Sequence, residues 1–276
     1  MARLVGIAAM SHIPRMANAP DAPGSAVHDE VVAAFRAAGD ALRATQPDAI
    51  IVVAPDHFQN FFIDNMPAIA IGCGESHRGP AEPWIHNAPQ AIPGAPRFAE
   101  HLITSAYRAG FDPAFSHNFR LDHGYVLPLR TAGFDLRLPI VPIVLNSVQP
   151  PFPNAHRMLA FGRMLASAIA ASDSDERVLL IVSGGLSHSI AEPSMGRIDE
   201  PFDRSFLMQL EAGKTNALAD WFEAGVPAAG NGSQEMRAWF VAHGAADARG
   251  FRSHYYRPIF EWYLGVCVAS WGAPIA

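Results

Sequence analysis

A chain of 276 residues with 50% apolar and 17% charged side chains has the composition of a globular protein with a substantial core, which excludes a disordered chain. A formal charge of −6 with no Lys/Arg block excludes nucleic acid as the main partner, because phosphate binding demands a basic face. No apolar run approaches the ~18 residues of a membrane span, the start MARLVGIAAMSHIPRM is interrupted too early for a signal peptide, and Cys73 and Cys267 are too few for a disulfide framework, so the expectation is a soluble protein of the reducing cytoplasm.

In chain order, LVGIAAM (4–10) reads as a strand ending at SHIP. The 3.6-residue apolar spacing of 27–45 predicts an amphipathic helix. AIIVVA (49–54) is a second strand and MPAIAIG (66–72) a third. Residues 73–96 are rich in Pro and Gly and read as a long loop, and loops of that length in a compact domain are commonly lids or binding segments. A helix over 95–110 stops at Gly110, LPIVPIVLN (138–146) is a strand interrupted by proline, and RMLAFGRMLASAIAAS is a helix. RVLLIVS, at the start of 177–189, is another strand, followed by a glycine turn and a histidine. Helices are predicted across 196–225 and over 231–245, the latter capped by Asn231 or Ser233, before an aromatic tail that closes on an apolar segment. Strands alternate with helices throughout, with no linker or repeat. The expectation is a single α/β domain over 1–276, a central mixed sheet flanked by helices.

Three of the strands lead into a histidine: Ser11-His12, Asp56-His57 and Ser187-His188. One histidine at a strand end is commonplace and most often faces solvent. Three are not, because open α/β sheets bind ligands at the carboxyl ends of their strands, where residues distant in sequence converge. Two histidines and a carboxylate with open coordination positions describe the facial triad of non-haem Fe(II) oxygenases. Asp56, Asp122, Glu200, Glu235 and Glu261 are all candidates for the carboxylate, with Glu235, just inside a predicted helix, modestly ahead of Asp122.

These same segments carry a resemblance. SHIP (11–14), PDHFQNFF (55–62), LDHGYVLPL (121–129), SGGLSH (183–188) and GSQEMRAW (232–239) resemble, in order and over nearly the whole chain, the motifs of class III extradiol ring-cleavage dioxygenases. The body is similar to the catalytic β subunits of the protocatechuate 4,5-dioxygenase type, while HYYRPIFEW (254–262) resembles the 2,3-dihydroxyphenylpropionate dioxygenases. The resemblance implies Fe(II) held by His12, His57 and Glu235, His188 as acid/base, and His123 steering substrate or oxygen. It implies cleavage of a catechol, carboxylated or with an acidic side chain, by O2 in aromatic catabolism. It also implies a homo-oligomer or a complex with a small helical subunit, with no nucleic acid and no membrane as partner. The chemistry agrees, since imidazole, with an unperturbed pKa of about 6.5, is the side chain poised to take a proton from a catechol.

Arg15, Arg252 and Arg257 are positional candidates for an acidic substituent, Tyr125, Tyr255 and Tyr256 for hydroxyl donors, and Phe61 and Phe62 for pocket wall. His28, His101, His156 and His243 read as surface residues; His77 and His86 lie in the long loop, where an entrance role is disfavoured; His117 and His254 stay open. The rival readings are a non-catalytic metal-binding relative and a zinc hydrolase using the same triad. A serine hydrolase fits less well, since SGGLS is not a G-x-S-x-G elbow.

Overall fold

The computed structural model describes residues 1–272. Its elements are β1 (Arg3–Met10), α1 (Arg15–Asn18), α2 (Ser25–Ala44), β2 (Ala49–Ala54), β3 (Ile69–Gly72), β4 (Ser76–Gly79), β5 (Gln90–Pro93), α3 (Pro96–Arg108), β6 (Ala114–Ser116), α4 (His123–Thr131), β7 (Ile140–Leu145), α5 (Ala155–Ala170), β8 (Arg177–Ser183), α6 (Glu200–Glu211), α7 (Asn216–Gly225), α8 (Arg237–Ala245), β9 (Arg252–Ile259) and β10 (Leu264–Trp271). The main sheet runs β6-β3-β7-β2-β8-β1-β10-β9. β7, β2, β8 and β1 are mutually parallel, whereas β3 and β10 run against them, so the sheet is mixed as expected.

The central strands β2 and β7 are buried along their whole length, and β8 past its first residue, which is what a sheet covered by helices on both faces requires. Their side chains alternate between two cores. Ile51, Val53, Val141, Leu180 and Val182 face the α3, α5 and α8 side, and Ile50, Val52, Leu179 and Ile181 face α2 and α4. Helix α2 meets the sheet through Val31, Phe35, Ala38 and Leu42, spaced one helical turn apart.

Four local expectations are revised. The third strand starts at Ile69 rather than 66, and the long loop contains the β4–β5 hairpin. Residues 123–131, for which the sequence predicts no element, form α4, capped by Asp122, whose side chain accepts a hydrogen bond from Gly124 N. The segment 231–245 opens with a 3-10 turn, Asn231–Met236, before α8. Neither predicted cap serves that helix: Asn231 bonds Ile190, while Ser233 Oγ donates to Ala229 O and accepts from His188 N.

Candidate metal centre and active site

Because β1, β2 and β8 are parallel and adjacent, His12, His57 and the loop bearing His188 all leave the same edge of the sheet. The 3-10 turn carries Glu235 into their midst. One oxygen of Glu235 lies 3.7 Å from His12 Nε2, and the other lies 3.4 Å from His57 Nε2 and 3.8 Å from His188 Nε2. Gly185 N donates to this carboxylate at 3.0 Å. The close approach needs Gly184, whose φ is +134° and where a Cβ would stand 2.8 Å from Glu235 Cβ.

Each imidazole is oriented from behind. His57 donates both its backbone N–H and Nδ1–H to Asp122 Oδ2, at 2.8 and 2.9 Å, which turns Nε2 toward Glu235. His12 Nδ1 bonds Ser183 Oγ at 2.8 Å, and its Nε2 is buried with no partner. His188 Nδ1–H donates to Leu186 O at 2.8 Å, so in the neutral ring Nε2 carries the lone pair. His123, at the first turn of α4, packs its ring 4.2 Å from that of His57 and 5.1 Å from that of His12. Both its backbone N–H and Nδ1–H are taken by Glu82, a loop residue that is 3% exposed.

Electrostatics follow from this packing. Burial drives the His12 pKa down to about 3, which keeps its ring neutral at physiological pH. Burial also opposes charge on His57, but Asp122 and Glu235 outweigh it and raise that pKa well above the usual imidazole range. Against the same burial penalty, the neighbouring His57 brings Asp122 down to about 2. His12, His57 and His188 hold Glu235 ionised, well below the ordinary carboxylate range.

A divalent metal fits this donor set. A buried imidazole nitrogen without a partner is costly unless something binds it, and His12 Nε2 is such an atom. It stands beside the outward nitrogen of His57 and an anionic carboxylate, and imidazoles anchored through their other nitrogen are the usual metal ligands. His12, His57 and His123 also lie within mutual ligand distance, and His123, anchored to Glu82 through Nδ1, keeps its Nε2 free. The other carboxylates are engaged elsewhere. Asp56 accepts the backbone N–H groups of Gln59, Asn60 and Phe61, Asp122 backs His57, Glu200 pairs with Arg204, and Glu261 lies on the surface, contributing its backbone carbonyl to Arg15.

The other sequence candidates make contacts of their own. Arg257 pairs with Glu30, Arg252 sits beside Ser270 beyond the register of Met10, and Arg15 binds Glu261 O and covers the Tyr263 ring. Tyr125 is buried in the α2–α4 core, and Tyr256 donates to Asp203. Tyr255 packs against the same core as Tyr125, its hydroxyl buried without a hydrogen-bond partner. Phe61 packs on Phe119 as wall, while Phe62 is exposed. His243 is not at the surface: it is fully buried, its Nε2 donating to Lys214 O and its Nδ1 accepting from Trp271. His28 and His156 are partly exposed beside Asp29 and Asp220, and His101, half-buried, donates to Ala168 O. His77 is buried against Phe119, which removes it from any entrance, and His86 is exposed. His117 is exposed beside Cys73, and His254 bonds Ser270. Glu82 and Ser183 were not anticipated, since no local pattern marks a carboxylate or hydroxyl whose partner lies 41 or 171 residues away.

Parallel strands deliver two histidines, and the 3-10 turn a carboxylate, to one buried point with two more histidines around it, an arrangement able to hold a divalent metal. Comparison with known proteins makes this specific. Residues 6–267 match the family described as "Catalytic LigB subunit of aromatic ring-opening dioxygenase", and the chain belongs to that family, the class III extradiol dioxygenases. Among its curated relatives are proteins named 2,3-dihydroxyphenylpropionate/2,3-dihydroxicinnamic acid 1,2-dioxygenase. That of Paraburkholderia phymatum is 32% identical, covering 93% of each chain. That of Photorhabdus laumondii is 29% identical over 94% of this chain and 95% of the relative. A crystal structure of an uncharacterized Escherichia coli K12 protein shares the fold, with a TM-score of 0.62 at 16% identity, covering 86% of this chain and 92% of the other. The chain is thus an extradiol dioxygenase by family. The name its relatives carry is the one its tail motif resembles.

Proposed function

We propose that the protein is an Fe(II)-dependent dioxygenase that opens the ring of a catechol bearing an acidic side chain, of the 2,3-dihydroxyphenylpropionate type. The observation that carries the metal assignment is the convergence of the unpartnered His12 Nε2, His57 Nε2 and the ionised Glu235 in one buried nest. The substrate class rests on the relatives' names, which hold over nearly the full length of the chain.

In this reading His12, His57 and Glu235 hold Fe(II), whose chemistry when bound is to bring catechol and O2 together and to supply the electron transfer between them. The protein supplies the rest. His188 Nε2, which carries the lone pair of the neutral ring because Nδ1–H donates to Leu186 O, accepts a proton from a catechol hydroxyl and can return it later. His123 turns its Nε2 to the substrate because its Nδ1 is held by Glu82. Burial of the nest excludes water, and that strengthens each of these polar contacts. The whole chain acts as one catalytic domain in the cytoplasm, as a homo-oligomer or with a small helical partner, states that light scattering of the purified chain separates.

The test is oxygen uptake by the chain reconstituted anaerobically with Fe(II), across 2,3-dihydroxyphenylpropionate, protocatechuate, gallate and catechol, with Zn(II)-loaded protein as control. Uptake matched by a visible-absorbing product with the propionate-bearing ring supports the reading. Uptake only with protocatechuate or gallate would reassign the substituent, and failure to bind iron stoichiometrically would remove the metal assignment.

A further inference from the structure

The segment between Pro80 and Pro89 is rich in proline, yet it is tied down at three places. Asn18 of α1 donates through Nδ2 to Trp84 O at 3.0 Å and accepts from His86 N at 2.8 Å. Arg130, near the end of α4, bonds Asn87 Oδ1, Ala88 O and Gln90 Oε1. Just before these ties the chain sends Glu82 inward to a position 3% exposed.

Burying a carboxylate costs several kcal/mol unless its oxygens are satisfied. Among the described residues, every hydrogen bond to the Glu82 side chain comes from His123: the backbone N–H reaches both oxygens, at 3.0 and 3.2 Å, and Nδ1–H reaches Oε1. The carboxylate is therefore buried for the sake of one residue. Its acceptor-only oxygens force the proton of a neutral His123 onto Nδ1 and leave Nε2 as the lone-pair nitrogen. The backbone N–H contact also pins the start of α4, while the Nδ1 contact opposes a flip of the ring.

We propose that Glu82 is the positioning residue of His123: it sets the tautomer and orientation with which that imidazole meets the substrate. The effect on turnover rests on the reading of His123 given above; the effect on the ring does not. Glu82 mirrors Asp122, which grips the backbone N–H and Nδ1–H of His57 in the same fashion, so neighbouring imidazoles are held by one device used twice.

Two readouts test this. In metal-free, histidine-labelled protein, imidazole nitrogen NMR of the wild type should show His123 as the Nδ1–H tautomer, Glu82→Ala should lose that signature, and Glu82→Gln, whose amide oxygen still accepts, should keep it. In the iron-loaded enzyme, Glu82→Ala should lower kcat about 10–100-fold, the usual cost of deleting a histidine's orienting partner, and Glu82→Gln should recover most of the loss. An unchanged His123 tautomer in Glu82→Ala overturns the proposal, as does an equal loss of kcat in the Ala and Gln variants. If no catechol is turned over by the wild type while Glu82→Ala still shifts the tautomer, the positioning role stands and the substrate reading falls.

Discussion

At the scale of single residues, the centre depends as much on the absence of side chains as on their presence. Gly232 leaves room for the His188 ring: a Cβ there would lie 2.1 Å from Nε2. Gly232→Ala must displace the imidazole, and the loss of a positioned base typically costs about 10²–10⁴ in rate. Steady-state kinetics should show a fall in kcat of that order while iron content stays at the wild-type level, because His188 is not a ligand in this assignment. His12, His57, Glu235, His188 and His123 were all legible in the sequence, because strand-end histidines and ordered motifs are local signals. The choice of Glu235 over Asp122 was not settled by residue types or spacing. The proposal of Glu235 rests on Asp122 being spent on His57 and on capping α4, contacts that span 65 residues in one case and two in the other.

At the scale of elements, the 73–96 segment was read as a lid or binding loop, and its structure gives that reading content. Trp84 is 52% exposed with its ring 6.1 Å from that of His123, and a large aromatic left in water beside a catalytic crevice is a natural platform for an aromatic substrate. Trp84→Ala should raise KM several-fold with kcat nearly unchanged, a split that initial-rate measurements over substrate concentration resolve.

Helix α6 supplies a second consequence. Its Asp203 is fully buried, accepting from Ser187 N at 2.8 Å and from Tyr256 OH at 2.9 Å. Burial raises its pKa to about 7, the contacts with Ser187 and Tyr256 opposing this and Asp199 adding to it; the buried Cys267 thiol also feels its charge. A carboxyl whose folded pKa lies above its unfolded value favours the fold while protonated. That contribution is complete below the unfolded value of about 3.9 and is lost as pH rises through 7, up to about 4 kcal/mol in all. Urea unfolding should therefore show the wild type losing stability from pH 5 to pH 8 more steeply than Asp203→Asn, which keeps an acceptor without the charge. A similar slope in both proteins would refute this.

At the scale of the whole molecule, the proposed metal ties together segments around residues 12, 57 and 235 that the fold brings to one edge of the sheet. A ligand bound only by the native state stabilises it by mass action, about 2.7 kcal/mol at a hundredfold excess over Kd. Anaerobic Fe(II) should raise the melting temperature of the wild type, a chelator should reverse the shift, and Glu235→Ala should show neither the shift nor stoichiometric iron.

The sequence by itself determined the α/β class, the order of the main strands and helices, and the four histidines and one carboxylate on which the assignment rests. Each of these is written in a local pattern: apolar runs of strand length, 3.6-residue periodicity, and a histidine after a strand. Only the tertiary structure decided that 123–131 is a helix, that His243 is a core residue satisfied by Lys214 and Trp271, and that Glu82 serves His123. It also engages Arg257 with Glu30, on a helix 227 residues away. What a buried polar side chain does depends on which partner satisfies it, and that partner is chosen by packing across the sheet.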